Sequence, residues 1–280
     1  MLAPMLIALY ASFSTGGDRD EELVMGRFAS TAELYAQFRP PYPAEFFRTV
    51  ARKLKLTKQH SLIDLGTGPG LLALGFAPHV GAVTAVDPEP AMLAAARAAV
   101  ARSGYEVRLI EGRAEDLASD IGPFDLVTIG RALHWMDRAV FGPLFTRLIA
   151  PGGALVICGS SSARDHSNPW LDSYDSARRA WSDEMLWSQR GKGEETQREL
   201  VAVLERLGFS VADVIRVKTT HEVSISDLAQ RVLTFSSSSP AVLGDRVDAL
   251  LADVEARLLP FSRDGRITET LVSTADVIRR

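Results

Sequence analysis

One short run of acids and glycines holds most of the chemistry that can be read from this chain. Leu62-Ile63-Asp64-Leu65-Gly66-Thr67-Gly68-Pro69-Gly70-Leu71-Leu72 is an apolar stretch that enters a glycine turn and feeds a helix. Glycines at this spacing let the backbone turn sharply and let a ligand approach where a Cβ would obstruct it. The pattern is Gly-x-Gly-x-Gly, and Leu71 stands where the dinucleotide fingerprint needs its third glycine, which disfavours a pyrophosphate-binding turn. Asp64, just ahead of the first glycine, would repel phosphate and attract a ligand's ammonium, so an amino-acid tail suits it. Asp87 closes the next apolar run, where a carboxylate accepts hydrogen bonds from ribose hydroxyls. In the turn Glu111-Gly112-Arg113-Ala114-Glu115-Asp116-Leu117, Glu115, with Asp116 beside it, is the acid best suited to accept from an adenine amino group.

Read singly, each acid has a plainer role: Asp64 as a helix cap, Asp87 opening the turn before Pro88, Glu115 as surface charge. Together they stand at three successive strand ends and face one rim, the rim where open α/β sheets bind ligands.

The elements that must hold them in place follow from the hydrophobic pattern. From Ser61 to Ser160, short apolar runs alternate with helix-like stretches, the pattern of a parallel sheet covered on both faces. The strands expected are Ser61 to Leu65, Ala82 to Asp87, Val107 to Glu111, Phe124 to Gly130 and Ala154 to Gly159. Helices are expected at Ala91 to Arg102, at Val140 to Ile149, at Glu194 to Leu207, at Asp227 to Thr234 and at Ala241 to Leu259. Phe209 to Val217 and His221 to Ile225 read as strand pieces around a polar link, Lys218 to Thr220. Arg266 to Ile278 reads as an antiparallel edge strand, and Ser236 to Ser239 as a loop. Ser161 to Lys192 breaks the alternation and reads as a helical lid insertion, with Trp170, Tyr174, Trp181 and Trp187 as a possible aromatic wall or as its packing. The fold expected is thus a Rossmann-like, doubly wound α/β sheet, mostly parallel, with helices on both faces.

With these residues in hand, the chain resembles the class I S-adenosylmethionine-dependent methyltransferases, in the small-molecule branch (methyltransferase type 11) that includes trans-aconitate methyltransferase and the quinone C-methyltransferases. The resemblance covers Tyr35 to Ser160 and rests on Asp64 to Gly70, on Ala85-Val86-Asp87-Pro88 followed by Met92-Leu93, on the acidic turn at Arg113 to Asp116, and on Phe124-Asp125-Leu126-Val127. It implies S-adenosyl-L-methionine as cofactor and a small-molecule methyl acceptor, with RNA or protein as the alternative acceptor and use of the cofactor without methyl transfer as a third reading. It also implies a cofactor site that includes Asp64 and Thr67, in which Gly66, Gly68 and Gly70 line the methionine and ribose portions, Asp87 takes the ribose hydroxyls, Pro88 and Met92 flank the adenine, and Ala114 and Glu115 touch its other side. The run Tyr35-Ala36-Gln37-Phe38-Arg39-Pro40-Pro41-Tyr42-Pro43 matches a family pattern that sets Tyr35 and Arg39 near the sulfonium and carboxylate ends. Arg131 to Asp137 falls beside the transferred methyl group; there Arg131 would contact the cofactor and His134 is the candidate catalytic base, unless the acceptor arrives ionised and needs none.

Composition narrows the acceptor and the setting. In 280 residues with 24% charged and a net charge of -4 there is no basic stripe for nucleic acid. The Asn/Asp-Pro-Pro-aromatic motif of amino-methylating nucleic-acid enzymes is missing after the fourth strand. The single cysteine, Cys158, has no partner for a disulfide or a metal site and reads as core packing, and no metal is expected. Met1 to Phe13 is apolar but short for a bilayer, Asp18 to Glu22 reads as a linker or a helix start, and Met25 opens a credible start. The expectation is an N-terminal extension over 1-24 and one methyltransferase domain over 25-280, with its cofactor core at 61-160 and its lid at 161-192. It is expected to be a cytoplasmic monomer or homodimer without membrane association.

Overall fold

The structure is a computed structural model, and it describes residues 32–182 and 192–280. The readings of Met1 to Phe13, Asp18 to Glu22, Met25 and Trp187 lie outside the described residues, as does 183–191 of the expected lid. Among the described residues seven strands form one sheet. They are β1 (Ser61–Leu65), β2 (Ala82–Asp87), β3 (Arg108–Glu111), β4 (Phe124–Gly130), β5 (Ile149–Ser162), β6 (Ser210–Ser224) and β7 (Arg266–Arg279), in the order β3-β2-β1-β4-β5-β7-β6. The first five pair in parallel, and β7 runs antiparallel to both β5 and β6. The expected doubly wound, mostly parallel sheet is what forms.

Alternation along each strand splits the core into two layers. Leu62, Leu126, Val156 and Val277 point to one face, where they meet Phe46, Phe47 and Val50 of α2 (Ala44–Leu54) and Leu72, Ala73 and Phe76 of α3 (Leu71–Phe76). Ile63, Val127, Leu155 and Ile278 point to the other, against Phe141, Leu144 and Phe145 of α5 (Phe141–Leu148) and Leu200 and Leu204 of α7 (Lys192–Arg206). Between β2 and β3, α4 (Pro90–Ser103) starts where Glu89 caps it with Pro90 in its first turn, and it stops at left-handed Gly104. Cys158 is 2% exposed and burial pushes its thiol well up, so it is core, as expected.

The C-terminal third departs from expectation in three places, each for a visible reason. Arg266 to Arg279 is antiparallel but lies one place in from the edge, because β6 pairs along its whole length and takes the edge itself. The polar link Lys218 to Thr220 is part of β6, paired to Val272, Leu271 and Thr270: polar residues suit an edge strand with a wet face. Ala241 to Leu259 is interrupted at Gly244 into α9 (Pro240–Leu243) and α10 (Val247–Leu258). Ser236–Ser238 is a 3-10 turn within the expected loop, with Ser238 fully buried.

β5, β6 and β7 outrun their parallel neighbours. β5 pairs with β4 only as far as Cys158, so its last residues, with the matching ends of β6 and β7, stand above the C-terminal rim of the parallel strands. A third core forms on them: Trp170, Leu171 and Tyr174 of α6 (Leu171–Trp181) and its approach pack on Leu228 and Val232 of α8 (Ile225–Val232) and on Leu250 and Val254 of α10. Buried Asn168 pins the insertion to β7 through bonds to and from Thr270, and the Trp181 indole donates to Asp253 at 2.8 Å. The roof is therefore built from two chain segments, and the sequence pattern of the one around α8 and α10 predicts helices but no roofing role. α1 (Ala32–Phe38) contacts α8 from below.

Candidate functional site

The glycine turn is held from inside. Asp64 is 1% exposed and accepts from the Thr67 hydroxyl at 2.6 Å and the Thr128 hydroxyl at 2.7 Å. Burial pushes its carboxyl up to about 6, against the pull of those hydrogen bonds. With both oxygens occupied by protein hydroxyls, Asp64 braces the turn from beneath. Gly66, Gly68 and Gly70 all have left-handed φ. At Gly66 a Cβ would stand 2.3 Å from the Ala132 Cβ, whereas at Gly68 it would meet only the Met92 sulfur at 3.9 Å, so the backbone there is open to close approach.

Asp87 is the acid turned to the rim. Its carboxylate accepts from the Gly68 N–H at 2.7 Å and the Glu89 N–H at 3.0 Å, one on each oxygen, which ties the end of β2 to the turn and leaves each oxygen further acceptor capacity. Burial raises its pKa against those two bonds. Pro88 is exposed, while Met92 and Ala114 are buried nearby. Glu115 is half-buried and accepts from the Asp137 N–H at 2.8 Å, so it fastens the turn after β3 to the loop after β4.

A second group stands above the turn. Arg131 follows β4 with φ +61, a conformation that costs a residue with a side chain of order 1–3 kcal/mol unless its surroundings hold it. Its guanidinium donates to the Pro40 and Ser160 carbonyls, sits over the Tyr42 ring and reaches the Tyr35 phenol. Burial would raise the Tyr35 pKa, but the Arg131 and Arg39 charges and the Arg131 hydrogen bond outweigh it and hold the phenol below its usual range. Arg39 turns the other way, into the roof: it donates to the Thr234 carbonyl at 2.7 Å and lies over the Phe235 ring at 4.2 Å and the Tyr35 ring at 5.0 Å. Burial lowers its pKa to about 10.

Asp64, the glycines, Thr67 and Asp87 thus form one connected unit, and Tyr35, Arg39 and Arg131 a second that adjoins it. His134 lies in the turn Leu133–Trp135 with its ring 4.8 Å from Trp135; no hydrogen bond among the described residues joins it to either group. Partial desolvation holds its pKa below the ordinary value. Of the expected aromatic wall, Trp170 and Tyr174 are buried. Residues the sequence reading did not single out complete the roof: Arg178, whose guanidinium stacks on Phe235 at 3.5 Å, and Arg231, which donates to both oxygens of buried Glu269 and to the Phe38 carbonyl. Tyr174 and Arg178, four residues apart on α6, were the available signal, a helix face carrying a phenol and a cation into an otherwise apolar core.

Comparison with known proteins bears on the domain and its fold. Residues 62–153 match the family described as a methyltransferase domain. An uncharacterized methyltransferase of Mycobacterium tuberculosis is 33% identical over 148 residues, covering 51% of this chain and 55% of that protein. The chain thus spans about half the length of the curated relatives it matches. Among solved structures, a protein of Anaeromyxobacter dehalogenans described as a candidate type II methyltransferase superposes with a TM-score of 0.62 at 20% identity, covering 87% of this chain and 98% of that one. An S-adenosylmethionine-dependent methyltransferase of Geobacter sulfurreducens, solved with S-adenosyl-L-homocysteine, gives a TM-score of 0.51 at 18% identity, covering 89% of this chain and 96% of that one. At these identities the superpositions establish the Rossmann-like fold.

Proposed function

We propose that this protein is an S-adenosylmethionine-dependent methyltransferase acting on a small-molecule acceptor. The observation that carries the reading is the Asp87 carboxylate, fixed by the Gly68 and Glu89 amides at the mouth of a left-handed glycine turn. That arrangement suits a nucleoside, because the diol of a ribose supplies two donors to a carboxylate with acceptor capacity left on each oxygen. Met92 and Ala114 offer apolar contact to an adenine beside it, with exposed Pro88 and half-buried Glu115 at its margin. Gly66, Thr67, Gly68 and Gly70 give the amino-acid arm a backbone without obstructing side chains, and Asp64 keeps that backbone in shape. Arg131, next to the Ala132 that packs on Gly66, is the cation for the arm's carboxylate in this reading, and Tyr35 contacts both it and Arg39.

The cofactor supplies a methyl group already activated on a sulfonium, which leaves as the neutral thioether when an acceptor's lone pair displaces it in line. The chain's own part is alignment and exclusion of water, up to about 7–11 kcal/mol in ideal cases. The three-helix roof on β5, β6 and β7 suits that part. His134, exposed in the turn after β4 with its pKa shifted below the ordinary value, is the group available to take a proton from the acceptor. The net charge of -4 and the lack of a basic stripe favour a small acceptor over nucleic acid, and the described residues include no helix long and apolar enough to cross a membrane. Incubating the purified protein with methyl-labelled S-adenosylmethionine and a metabolite extract tests the reading. Label in a small product is expected; label only in protein or RNA, or cofactor breakdown alone, contradicts it.

A further inference from the structure

The roof over the site is strongly cationic on its inner side. Arg39, Arg131, Arg178 and Arg231 converge there from α1, the end of β4, α6 and α8, each within electrostatic reach of Tyr35 or Tyr174. Two of the four are balanced: Arg231 by Glu269 at 2.6 Å, and Arg178 by Asp175 at 3.1 Å. Arg39 and Arg131 have no ion pair among the described residues. A buried donor with no acceptor is costly. Two such donors occur at this point: the Nε of part-buried Arg39 and the hydroxyl of Tyr174, itself 3% exposed, are buried and lack a hydrogen-bond partner among the described residues. The Tyr174 hydroxyl therefore adds a neutral donor beside the charges of Arg39 and Arg178. Both guanidinia lie against the Phe235 ring, Arg39 at 4.2 Å and Arg178 at 3.5 Å from its centroid, so an apolar surface stands beside them.

The geometry points to an oxyanion subsite formed by Arg39, Arg178 and Tyr174, which selects an acceptor bearing a carboxylate-type anion. The inference rests on the methyltransferase reading and narrows it, by dividing the cations between two ligands. Arg131, beside the glycine turn, serves the cofactor's carboxylate, and Arg39, which donates to the Thr234 carbonyl and lies over the Phe235 ring after α8, serves the acceptor. An oxyanion satisfies the open donors and brings the net charge of the chamber toward zero. A neutral amide of the same shape would present its own N–H groups to the guanidinia.

Matched fragment pairs separate these cases: acetate against acetamide, and benzoate against benzamide, observed by saturation-transfer nuclear magnetic resonance with and without S-adenosyl-L-homocysteine. The anionic member of at least one pair is expected to bind about tenfold or more tighter than its neutral partner. Tyr174→Phe, which removes one oxygen and no charge, and Arg178→Gln are each expected to weaken the anion severalfold or more while leaving the affinity for S-adenosyl-L-homocysteine within about twofold. Arg279→Gln, remote from the roof, is expected to change neither, so a loss there would expose nonspecific charge attraction and overturn the subsite. Equal binding of anion and amide, no binding of any fragment, or a Tyr174→Phe protein that melts normally and binds the anion unchanged, would also overturn it. Failure of S-adenosyl-L-homocysteine to bind, with anion selectivity intact, would instead remove the cofactor reading and leave the anion subsite standing.

Discussion

At the scale of single residues, the account turns on positions where a side chain's presence or absence decides whether a ligand can sit. Gly66 combines φ +64 with a neighbour 2.3 Å from where its Cβ would be. Gly66→Ala therefore meets both backbone strain and a clash, and should lose at least about 1–3 kcal/mol of stability together with cofactor affinity, read from denaturant melts and a ligand titration. His134 yields a sharper kinetic expectation. If it is the base, the acid limb of the kcat/KM profile should follow its titration at a pH below that of a free histidine, and His134→Gln should flatten that limb. An unchanged profile would mean the acceptor arrives ionised. The glycines and Asp87 were legible in the sequence because their spacing is local. Asp64 was legible as an acid at a strand end, but its inward turn depends on Thr128, a residue on the neighbouring strand that no local pattern connects to it.

At the scale of elements, one buried carboxylate ties the roof to the sheet. Glu269 on β7 accepts from the Ser162 hydroxyl on β5 at 2.6 Å, pairs with Arg231 on α8 and lies 3.3 Å from His221 on β6. Its burial would raise its pKa, but the bonds from His221, Arg231 and Ser162 prevail and hold it at about 2. A carboxyl with a depressed folded-state pKa contributes stability above its unfolded value near 4.5, and that stability is lost as pH falls toward 2. Melting should accordingly drop through that window by up to about 3 kcal/mol from this group. Glu269→Gln should abolish that part of the dependence and, by stranding Arg231, cost about 3–5 kcal/mol at neutral pH. A variant as stable as the parent at pH 7 would contradict this. None of the network was readable beforehand. Its members lie on four elements far apart in the chain, whereas the parallel strands announce themselves by short apolar runs and α4 by an alanine-rich stretch without Gly or Pro. β6 was split in two because its polar link looks like a turn, and only pairing with β7 makes it a strand.

At the scale of the whole molecule, a common sheet is made specific by strands that overrun it. The parallel half presents the glycine turn and Asp87 at its rim, and the longer β5, β6 and β7 carry three helices over that rim. The lid expected from composition is half of this roof, and the other half comes from segments whose helical pattern showed no sign of where they would dock. The claim on which everything else depends is that the rim binds a nucleoside through Asp87. Calorimetric titration of S-adenosyl-L-homocysteine into the protein and into Asp87→Ala tests it most directly, with melting curves to establish that the variant is folded. The account predicts saturable binding to the parent and a loss of about tenfold or more in the variant; no binding to the parent, or equal affinity in both, would contradict it.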